Sequence, residues 1–406
     1  MGVGPGGPSS PRYRWVVLSG GLTAQTSFSI LAIGLPVLAP ALHDRYDLSV
    51  GGVGVVLAAV GVGMLATLLA WGLLADRIGE RAVIAVGLAG AGIAVAAAGT
   101  TDTVTALIGL LVLAGAAGAS VNAASGRAVM HWFDVRERGL ALGIRQTAIP
   151  LGGGLAAIAL PPIDAAWGLG GAFLAMGSVC VGAALFAWGV MRDAPHAPEE
   201  GFVLERGPLA DRRLWLLAVG SALLIGAQLA VASFLVFFLH EVRGLSPAEA
   251  GAVFALTQVL GAVLRIGAGR WSDRIGERLR PLRLIAVALS LALGVATTLL
   301  AAPLPLLLPA FVAAGALGFG WNALSFTAAA EISGAARSGA ALGFQQTVLG
   351  VATIVTPVVF GVLGEESWYL TFGLAAACPL AALAVLRPLG PGPTGPAHVA
   401  GTRGRR

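Results

Sequence analysis

Long apolar runs separated by short polar segments make up most of this chain. A membrane-spanning helix needs about 20 mostly apolar residues, and twelve runs approach or exceed that length, six before and six after a polar segment at 192–213. Numbered as spans 1 to 12, these runs cover residues 15–39, 50–74, 82–100, 104–130, 140–163, 168–191, 214–239, 248–271, 283–301, 305–330, 339–363 and 367–387. The pattern predicts an all-α integral membrane protein with twelve transmembrane helices.

A short charged sequence occurs at the same place in both halves. Gly72–Arg81, reading G-L-L-A-D-R-I-G-E-R, joins spans 2 and 3, and Gly269–Arg278, reading G-R-W-S-D-R-I-G-E-R, joins spans 8 and 9. The shift between the copies is 197 residues (269 − 72). A second match, between Ala141–Thr147 and Ala341–Thr347, has a shift of 200. Two matches in the same order at nearly one offset indicate a duplicated six-helix unit.

Both charged sequences resemble the loops that join helices 2 and 3, and helices 8 and 9, in the major facilitator superfamily. That resemblance implies two pseudo-symmetric six-helix bundles, and a loop that acts as a conformational latch rather than as a substrate site. The family often has a basic residue where this chain has Glu80 and Glu277, so the loops here are less positive. The matching positions are Gly72, Asp76, Arg77, Gly79, Arg81, Gly269, Asp273, Arg274, Gly276 and Arg278.

The predicted organisation has five parts. A disordered tail at 1–11 precedes a first six-helix bundle at 12–191, and a linker at 192–213 leads to a second bundle at 214–388. The remaining segment, 389–406, is rich in Pro and Gly and is predicted to be a second disordered tail. No cleaved signal peptide is predicted, because no short apolar segment with a small-residue cleavage site stands apart at the start.

Composition agrees with a membrane protein, and charge predicts its orientation. Charged residues make up 11% of the chain, against roughly 25% in soluble domains. The basic side chains are all arginine, and outside the spans they lie almost entirely in loops on one side, whereas the opposite loops hold only Arg45 and Arg243 beside several carboxylates. Because basic loops stay in the cytoplasm, both termini and the linker are predicted to be cytoplasmic. This topology accounts for the basic pI, so no nucleic acid partner is predicted.

Polar side chains inside the spans are few and unevenly distributed. Spans 3, 6, 9 and 12 have no charged or amide residue in their interiors. Because polar groups at membrane depth face a cavity or one another, those four spans are predicted to face lipid. Span 2 has only Thr67 and small residues in its interior and is predicted to pack closely through glycines. The amides predicted to line one central cavity are Gln25, Asn122, Gln146, Gln228, Gln258, Asn322, Gln345 and Gln346.

Three arginines lie a turn or more inside the ends of their spans and need separate interpretation. Arg145 in span 5 and Arg265 in span 8 enter their spans to similar depths, one in each half. A guanidinium suits carboxylate or phosphate bidentately, so this pair is predicted to clamp an anion from opposite walls. The alternative is that these side chains extend to the membrane interface or form a structural pair. For Arg127, about one turn from the end of span 4, a substrate role and extension to the interface both remain open.

Two ionisable residues occupy matching places at the ends of spans 4 and 10. His131 and Glu331 are related by the repeat (131 + 200 = 331). The simpler interpretation is charge pairing at an inner gate, of Glu331 with Arg337 or Arg138. The alternative is that His131 or Glu331 titrates during proton coupling. The predicted gating set is completed by Arg127, His131, Glu331 and Arg337.

The sequence predicts a transporter rather than an enzyme. No P-loop, H-E-x-x-H, C-x-x-C or credible Ser/His/Asp set occurs, so no catalytic residue, metal or cofactor is predicted. The predicted function is secondary active transport of a small organic anion by a monomer, with protons as a candidate coupling ion. The lysine-free, Ala-, Gly- and Leu-rich composition suggests a GC-rich bacterial genome and therefore a bacterial inner membrane.

Two alternatives remain open. One is a proton-driven drug or natural-product efflux pump, because Pro150 with Gly152–Gly154 weakly resembles the Gly-Pro-x-x-Gly-Gly signature of drug/proton antiporters. A cation exporter would need a membrane-embedded acid, and no Asp or Glu lies deep within any span. The other is a signalling receptor built on a transporter scaffold, which would usually carry a larger cytoplasmic domain.

Overall fold

The computed structural model describes residues 13–133, 135–193, 211–334 and 338–390, and within these the regular structure is helical. Both predicted tails and most of the linker lie outside the described residues. The helices are α1 (Tyr13–Val37), α2 (Ala39–Tyr46), α3 (Val50–Ile78), α4 (Glu80–Ala98), α5 (Val104–Trp132), α6 (Val135–Gln146), α7 (Ala148–Val190), α8 (Arg212–Phe237, continued by a π turn at Phe238–Val242), α9 (Pro247–Ile275), α10 (Leu279–Thr298), α11 (Leu304–Gly320), α12 (Asn322–Ser333), α13 (Ser338–Glu366) and α14 (Trp368–Leu386).

Eleven stretches of the described chain are long and apolar enough to cross a membrane. One of them, Gly143–Val190, has 48 residues. A straight helix of that size would be about 72 Å long, more than twice the hydrocarbon thickness of about 30 Å, so this stretch crosses twice. It turns back at Gly168, whose φ of +69° is a conformation that favours glycine. Counting both crossings gives the twelve helices that the sequence predicts, and the predicted fold class is confirmed.

Spans 5 and 10 are not continuous helices. Span 5 begins in α6, is interrupted at Thr147 and continues as the first part of α7. Span 10 is divided at Trp321 between α11 and α12. Both interruptions lie beside polar side chains, Gln146 at the first and Asn322 at the second.

The two halves pack closely at one end of the bundle. We call the end that holds the Gly79 and Gly276 turns the arginine-rich end, and the other the opposite end. Near the opposite end a Cβ atom added at Gly54 of α3 would lie 2.2 Å from the carbonyl oxygen of Pro357 in α13. One added at Gly251 of α9 would lie 2.3 Å from the carbonyl oxygen of Ala157 in α7. The structure is therefore closed between the halves at the opposite end.

The two arginines of the opposite end make equivalent contacts in the two halves. Arg45 donates to the carbonyl oxygen of Thr101, after α4, at 3.2 Å. Arg243 donates to the carbonyl oxygens of Leu300 and Ala302, after α10. The last carbonyls of a helix have no partner within it, so each arginine satisfies carbonyl groups at the end of a membrane helix. These backbone contacts thus explain why Arg45 and Arg243 lie at the opposite end, whereas the other described loop arginines lie at the arginine-rich end.

Glycines also set the packing of α3 against α5 within the first half. A Cβ atom added at Gly63 would lie 1.9 Å from the carbonyl oxygen of Val112, and one added at Gly115 would lie 2.0 Å from that of Val60. Such contacts let the two backbones approach as closely as small-residue interfaces in membranes allow. This is the glycine packing that the small residues of span 2 predict.

The first testable prediction follows from this contact. Gly63→Ala should lower the stability of the protein by about 1–3 kcal/mol, the usual range for overpacking, because the added methyl meets backbone. Gly109→Ala on α5 is the matched control, since a Cβ atom there meets nothing within 4 Å. Thermal unfolding of the purified proteins in detergent measures the difference, and equal midpoints for the two variants would contradict the close packing.

Candidate substrate cavity and gates

Arg265 of α9 reaches from the second half of the chain to both interrupted helices. Its Nη1 donates to the carbonyl oxygen of Gln146 at 3.2 Å, at the break between α6 and α7. Its Nε donates to the carbonyl oxygen of Phe319 at 3.1 Å, two residues before the break at Trp321. One side chain therefore supplies hydrogen-bond donors at both breaks.

Pro150 explains why the Gln146 carbonyl needs this donor. In a continuous helix the N–H four residues later would bond it, but proline has no N–H. A carbonyl freed at membrane depth must be satisfied by the surrounding protein or by water. The four-residue spacing between Gln146 and Pro150 is thus a sequence signal for the hydrogen bond from Arg265 to the Gln146 carbonyl. The interpretation of Arg265 as a substrate ligand did not use this signal.

Arg145 lies one residue from that carbonyl and has fewer partners. Its guanidinium packs against α5, where a Cβ atom added at Gly126 would lie 3.4 Å from its Nη2. Its Nε is buried and has no hydrogen-bond partner among the described residues. Within the same described part of the chain, neither Arg145 nor Arg265 lies within ion-pair distance of a carboxylate. The structure therefore holds two arginines of opposite halves at one level, without a countercharge among the described residues.

The predicted cavity amides fall into groups with different surroundings. Gln258 is fully buried, and neither of its amide atoms has a partner among the described residues. Gln25 and Gln345 are also buried, and each leaves its Oε1 without a described partner. The Nε2 of Gln345 instead donates to the hydroxyls of Ser221 and Ser325. Buried polar atoms without partners cost roughly 1–3 kcal/mol each, so these three amides are incompletely bonded within the described part of the chain.

The other amides are bonded or more exposed. Asn322 donates to the Oε1 of Gln228 at 3.2 Å, which joins α12 to α8. Asn122 donates weakly to the sulfur of Met64 at 3.6 Å. Gln146 is half-buried and contributes its backbone carbonyl, as described above. Gln346 is exposed, unlike its neighbour in sequence, so the structure separates these two predicted wall residues.

A seam between α9 and span 5 carries Gln258 and Arg265 on one face. Residues seven apart are two turns apart and lie on the same side of a helix. Gly251, Gln258 and Arg265 have that spacing on α9. The contacts of this antiparallel seam are Gly251 with Ala157, Gln258 with Gly153, and Arg265 with Gln146. The polar groups of α9 are thus held between the two halves of the chain. Close packing at Gly152–Gly154 is what the glycine run after Pro150 predicts, whereas the contact at Gly251 was not predicted.

The charged loop of the first half is tied to the end of α5 at the arginine-rich end. Arg127 forms an ion pair with Asp76 and donates to the carbonyl oxygen of Gly72 at 3.3 Å. The Nδ1 of His131 lies 2.9 Å from the Oε1 of Glu80, whose side chain is 8% exposed. Arg127 therefore reaches the loop carboxylate Asp76. Glu80, which replaces the usual base of the family loop, is used to hold a residue of α5.

In the second half the equivalent contact between loop and helix end has the positions of the acid and the base exchanged. Arg278 forms an ion pair with Asp273, and its Nε lies 2.8 Å from the Oε1 of Glu331. Here the base belongs to the loop and the acid to the end of α12, the reverse of Glu80 and His131. The charge pairing predicted for Glu331 is therefore made with Arg278, a partner that the sequence interpretation did not name. Arg337 lies outside the described residues, as does the side chain of Arg138.

The remaining predicted gating residues lie at the same end. Arg81 donates through its Nε to the carbonyl oxygen of Trp188 at 2.8 Å, and its backbone N–H donates to Asp193 at 2.8 Å. Gly79 and Gly276 have φ of +87° and +67°, which glycine adopts without strain. The positions without a named side-chain contact are Arg77 and Arg274, both exposed, and Gly269.

The described residues offer no group of three or more His, Cys, Asp or Glu side chains that could hold a metal ion. The arrangement is suited to binding a solute and to changing conformation. Gln258 and Arg265 of α9 contact span 5 of the other half, and charged ties join loops to helix ends at the arginine-rich end. A polar boundary between two bundles is an arrangement that transporters use for a solute path.

Comparison with known proteins agrees with this architecture. The family model described as Major Facilitator Superfamily matches residues 17–351. An uncharacterized MFS-type transporter of Mycobacterium tuberculosis is 34% identical over 402 residues, covering 95% of this chain and 88% of that protein. A probable sulfoacetate transporter of Cupriavidus necator is 27% identical over 373 residues, covering 85% of this chain and 86% of the relative.

Solved structures share the fold at low sequence identity. A bacterial homologue of the human lysosomal transporter Spinster, in an inward-facing and occupied conformation, has a TM-score of 0.78 at 16% identity, covering 94% of this chain and 96% of its own. The nucleoside transporter NupG, as a D323A mutant, has a TM-score of 0.75 at 15% identity, covering 92% of this chain and 100% of its own. With the family match over most of its length, this chain belongs to the major facilitator superfamily of membrane transporters.

Proposed function

We propose that this protein is a secondary active transporter of a small organic anion, working by alternating access across a bacterial inner membrane. The observation that carries the proposal is Arg145, a guanidinium within the membrane with a buried, unbonded Nε and no described carboxylate partner. A charged side chain at the centre of a membrane helix costs about 2.5–3.5 kcal/mol on insertion scales. A bound anion would offset that cost.

Arg265 supports the same interpretation in a different way. Its hydrogen bonds go to the carbonyl oxygens of Gln146 and Phe319, which are dipoles and do not neutralise its charge. Two like charges at one level repel each other in a low-dielectric site. An anion between them would replace that repulsion by attraction. Arg265 thus has a structural role, bridging two helix breaks, and in this proposal a second role beside the anion.

The relative from Cupriavidus necator supports the choice of an organic anion. The name of that protein assigns it sulfoacetate, a short molecule with a sulfonate at one end and a carboxylate at the other. Each group can accept two parallel hydrogen bonds from a guanidinium. A solute with an anionic group at each end would match one arginine from each half of this chain.

Replacing the arginines tests the anion proposal. In a binding screen of sulfoacetate, methanesulfonate, acetate, a neutral sugar and an organic cation, we expect the anions to raise the melting temperature. Arg145→Gln should then weaken anion binding by about 2–5 kcal/mol, the range for breaking a buried charged hydrogen-bond pair, and Arg145→Lys should weaken it less. Arg265→Gln should lose both affinity and stability, because it also removes donors from two carbonyls.

A matched control separates the two effects of Arg265. Arg243→Gln removes another carbonyl-bound arginine, but at the opposite end and away from the cavity. It should lower the melting temperature while leaving anion affinity unchanged. If Arg145→Gln and Arg265→Gln both bind anions as the parent does, the anion proposal is wrong. Binding of the cation alone would instead favour the proton-driven exporter.

We also propose that the Asp76–Arg127 pair is a latch of the transport cycle. The pair joins the loop of α3 to the end of α5 in this conformation. Asp76→Asn removes the charge of the pair but keeps its size. Transport of the best-binding anion of the screen into proteoliposomes should slow at least several-fold, while equilibrium affinity stays within a few-fold. Asp102→Asn, at an exposed carboxylate, is the control. Loss of binding in a folded Asp76→Asn protein would contradict the latch.

The proposed orientation places the arginine-rich end in the cytoplasm. The two arginines that lie at the opposite end are engaged with backbone carbonyls, which is consistent with a cytoplasmic location for the remaining basic residues. Reporter fusions after residue 200 and at the C-terminus should both give a cytoplasmic signal. A periplasmic signal from either fusion would overturn this orientation.

A further inference from the structure

The helices α3 and α9 occupy equivalent places in the two halves, and both begin with a serine N-cap. Ser49 precedes α3 and Ser246 precedes α9, a shift of 197 residues (246 − 49). The Ser49 hydroxyl accepts from the N–H of Gly52 at 3.1 Å. The Ser246 hydroxyl accepts from the N–H of Glu249 at 3.3 Å. The two helix starts therefore share the first part of a capping arrangement.

In α9 the arrangement is completed within the helix. Glu249 turns back and accepts hydrogen bonds from the backbone N–H and the hydroxyl of Ser246, each at 2.8 Å. This is a capping box, in which serine and glutamate satisfy each other's backbone donors. The start of α9 therefore depends on no residue of the other half for its carboxylate.

In α3 the glutamate is missing from the helix. The residue equivalent to Glu249 is Gly52 (52 + 197 = 249), which has no side chain. A carboxylate is supplied instead by Glu365, near the end of α13 in the other half. The N–H of Gly51 donates to its Oε1 at 2.8 Å. The first turn of α3 is thus completed by a residue 314 positions away.

We propose that Glu365 is a conformational latch. From the second half it caps helix α3 of the first half, and it does so only while the opposite end is closed. The helices α3 and α13 belong to different halves, and opening the opposite end must separate them. Separation leaves the first turn of α3 without its carboxylate, while α9 keeps its own. The closed state gains a charged hydrogen bond at a helix N-terminus, a favourable place for negative charge, and the open state loses it.

Close packing around the contact gives the latch its geometry. A Cβ atom added at Gly51 would lie 2.7 Å from the Oε1 of Glu365, and one added at Gly361 would lie 2.7 Å from the carbonyl oxygen of Val50. Glycine at these positions lets the start of α3 approach α13 closely enough for a short carboxylate side chain to reach its N–H groups. The same approach cannot persist when the two helices move apart. This inference needs no solute and does not rest on the anion proposal.

Spin-label distances test the latch in the absence of any solute. In a protein carrying Cys180→Ala and Cys378→Ala, labels at Thr100→Cys and Ala301→Cys report the separation of the halves at the opposite end. Glu365→Ala should raise the ratio of open to closed protein about fivefold, in line with the loss of a helix cap. The neighbouring Glu366→Ala is the matched control and should leave the ratio within twofold of the parent.

A second substitution makes the test specific to capping. Gly52→Glu gives α3 the residue that α9 already has, and a Cβ atom there comes no closer than 3.4 Å to its neighbours. In this background the helix can cap itself in both states, so Glu365→Ala should change the ratio by less than twofold. An unchanged ratio for Glu365→Ala in the original background would overturn the latch. So would an equal shift for Glu366→Ala, or an undiminished shift in the Gly52→Glu protein.

Discussion

Backbone groups inside a bilayer must find their partners within the protein or in enclosed water, and that constraint shapes the centre of this transporter. Pro150 removes the N–H that would have bonded the carbonyl of Gln146, and a break opens in span 5. Arg265, from the other half, donates a hydrogen bond to that carbonyl. It donates a second one to the carbonyl of Phe319, just before the break in span 10. A side chain that is costly to place in a membrane is held there by hydrogen bonds to backbone carbonyls, one of which has lost its helical donor to Pro150.

The two duplicated halves make equivalent contacts between loops and helix ends, but with different charged residues. Each loop at the arginine-rich end is tied to the end of a neighbouring helix, but through Glu80 with His131 in the first half and Arg278 with Glu331 in the second. Burial disfavours the charge of Arg278, but hydrogen bonds to Asp273 and Glu331 raise its pKa overall, so it remains charged. The two ties are therefore chemically different even though they occupy equivalent places.

The sequence predicted the fold well because the signals were long and repeated. Twelve apolar runs and two copies of a charged loop identify the architecture without reference to any single contact, and the turn at Gly168 falls at the start of span 6. The candidate site was less predictable, because its contacts join residues far apart in sequence. Spacing placed Arg145 and Arg265 at similar depths, but it could not show that Arg265 bonds the carbonyl beside Arg145. Nor could it separate Gln345, buried among serines, from the exposed Gln346.

The contact between Arg265 and Gln146 has a consequence for the order in which the chain is made. The ribosome adds Gln146 119 residues before it adds Arg265. During that interval the first bundle contains its broken helix but not the side chain that bonds it, and the equivalent position in its own sequence is Leu68 (265 − 197 = 68). Until α9 inserts, that carbonyl lacks the donor that Arg265 supplies in the finished protein. The duplication has therefore diverged so far that the first bundle gains one of its hydrogen-bond donors only when the second is made.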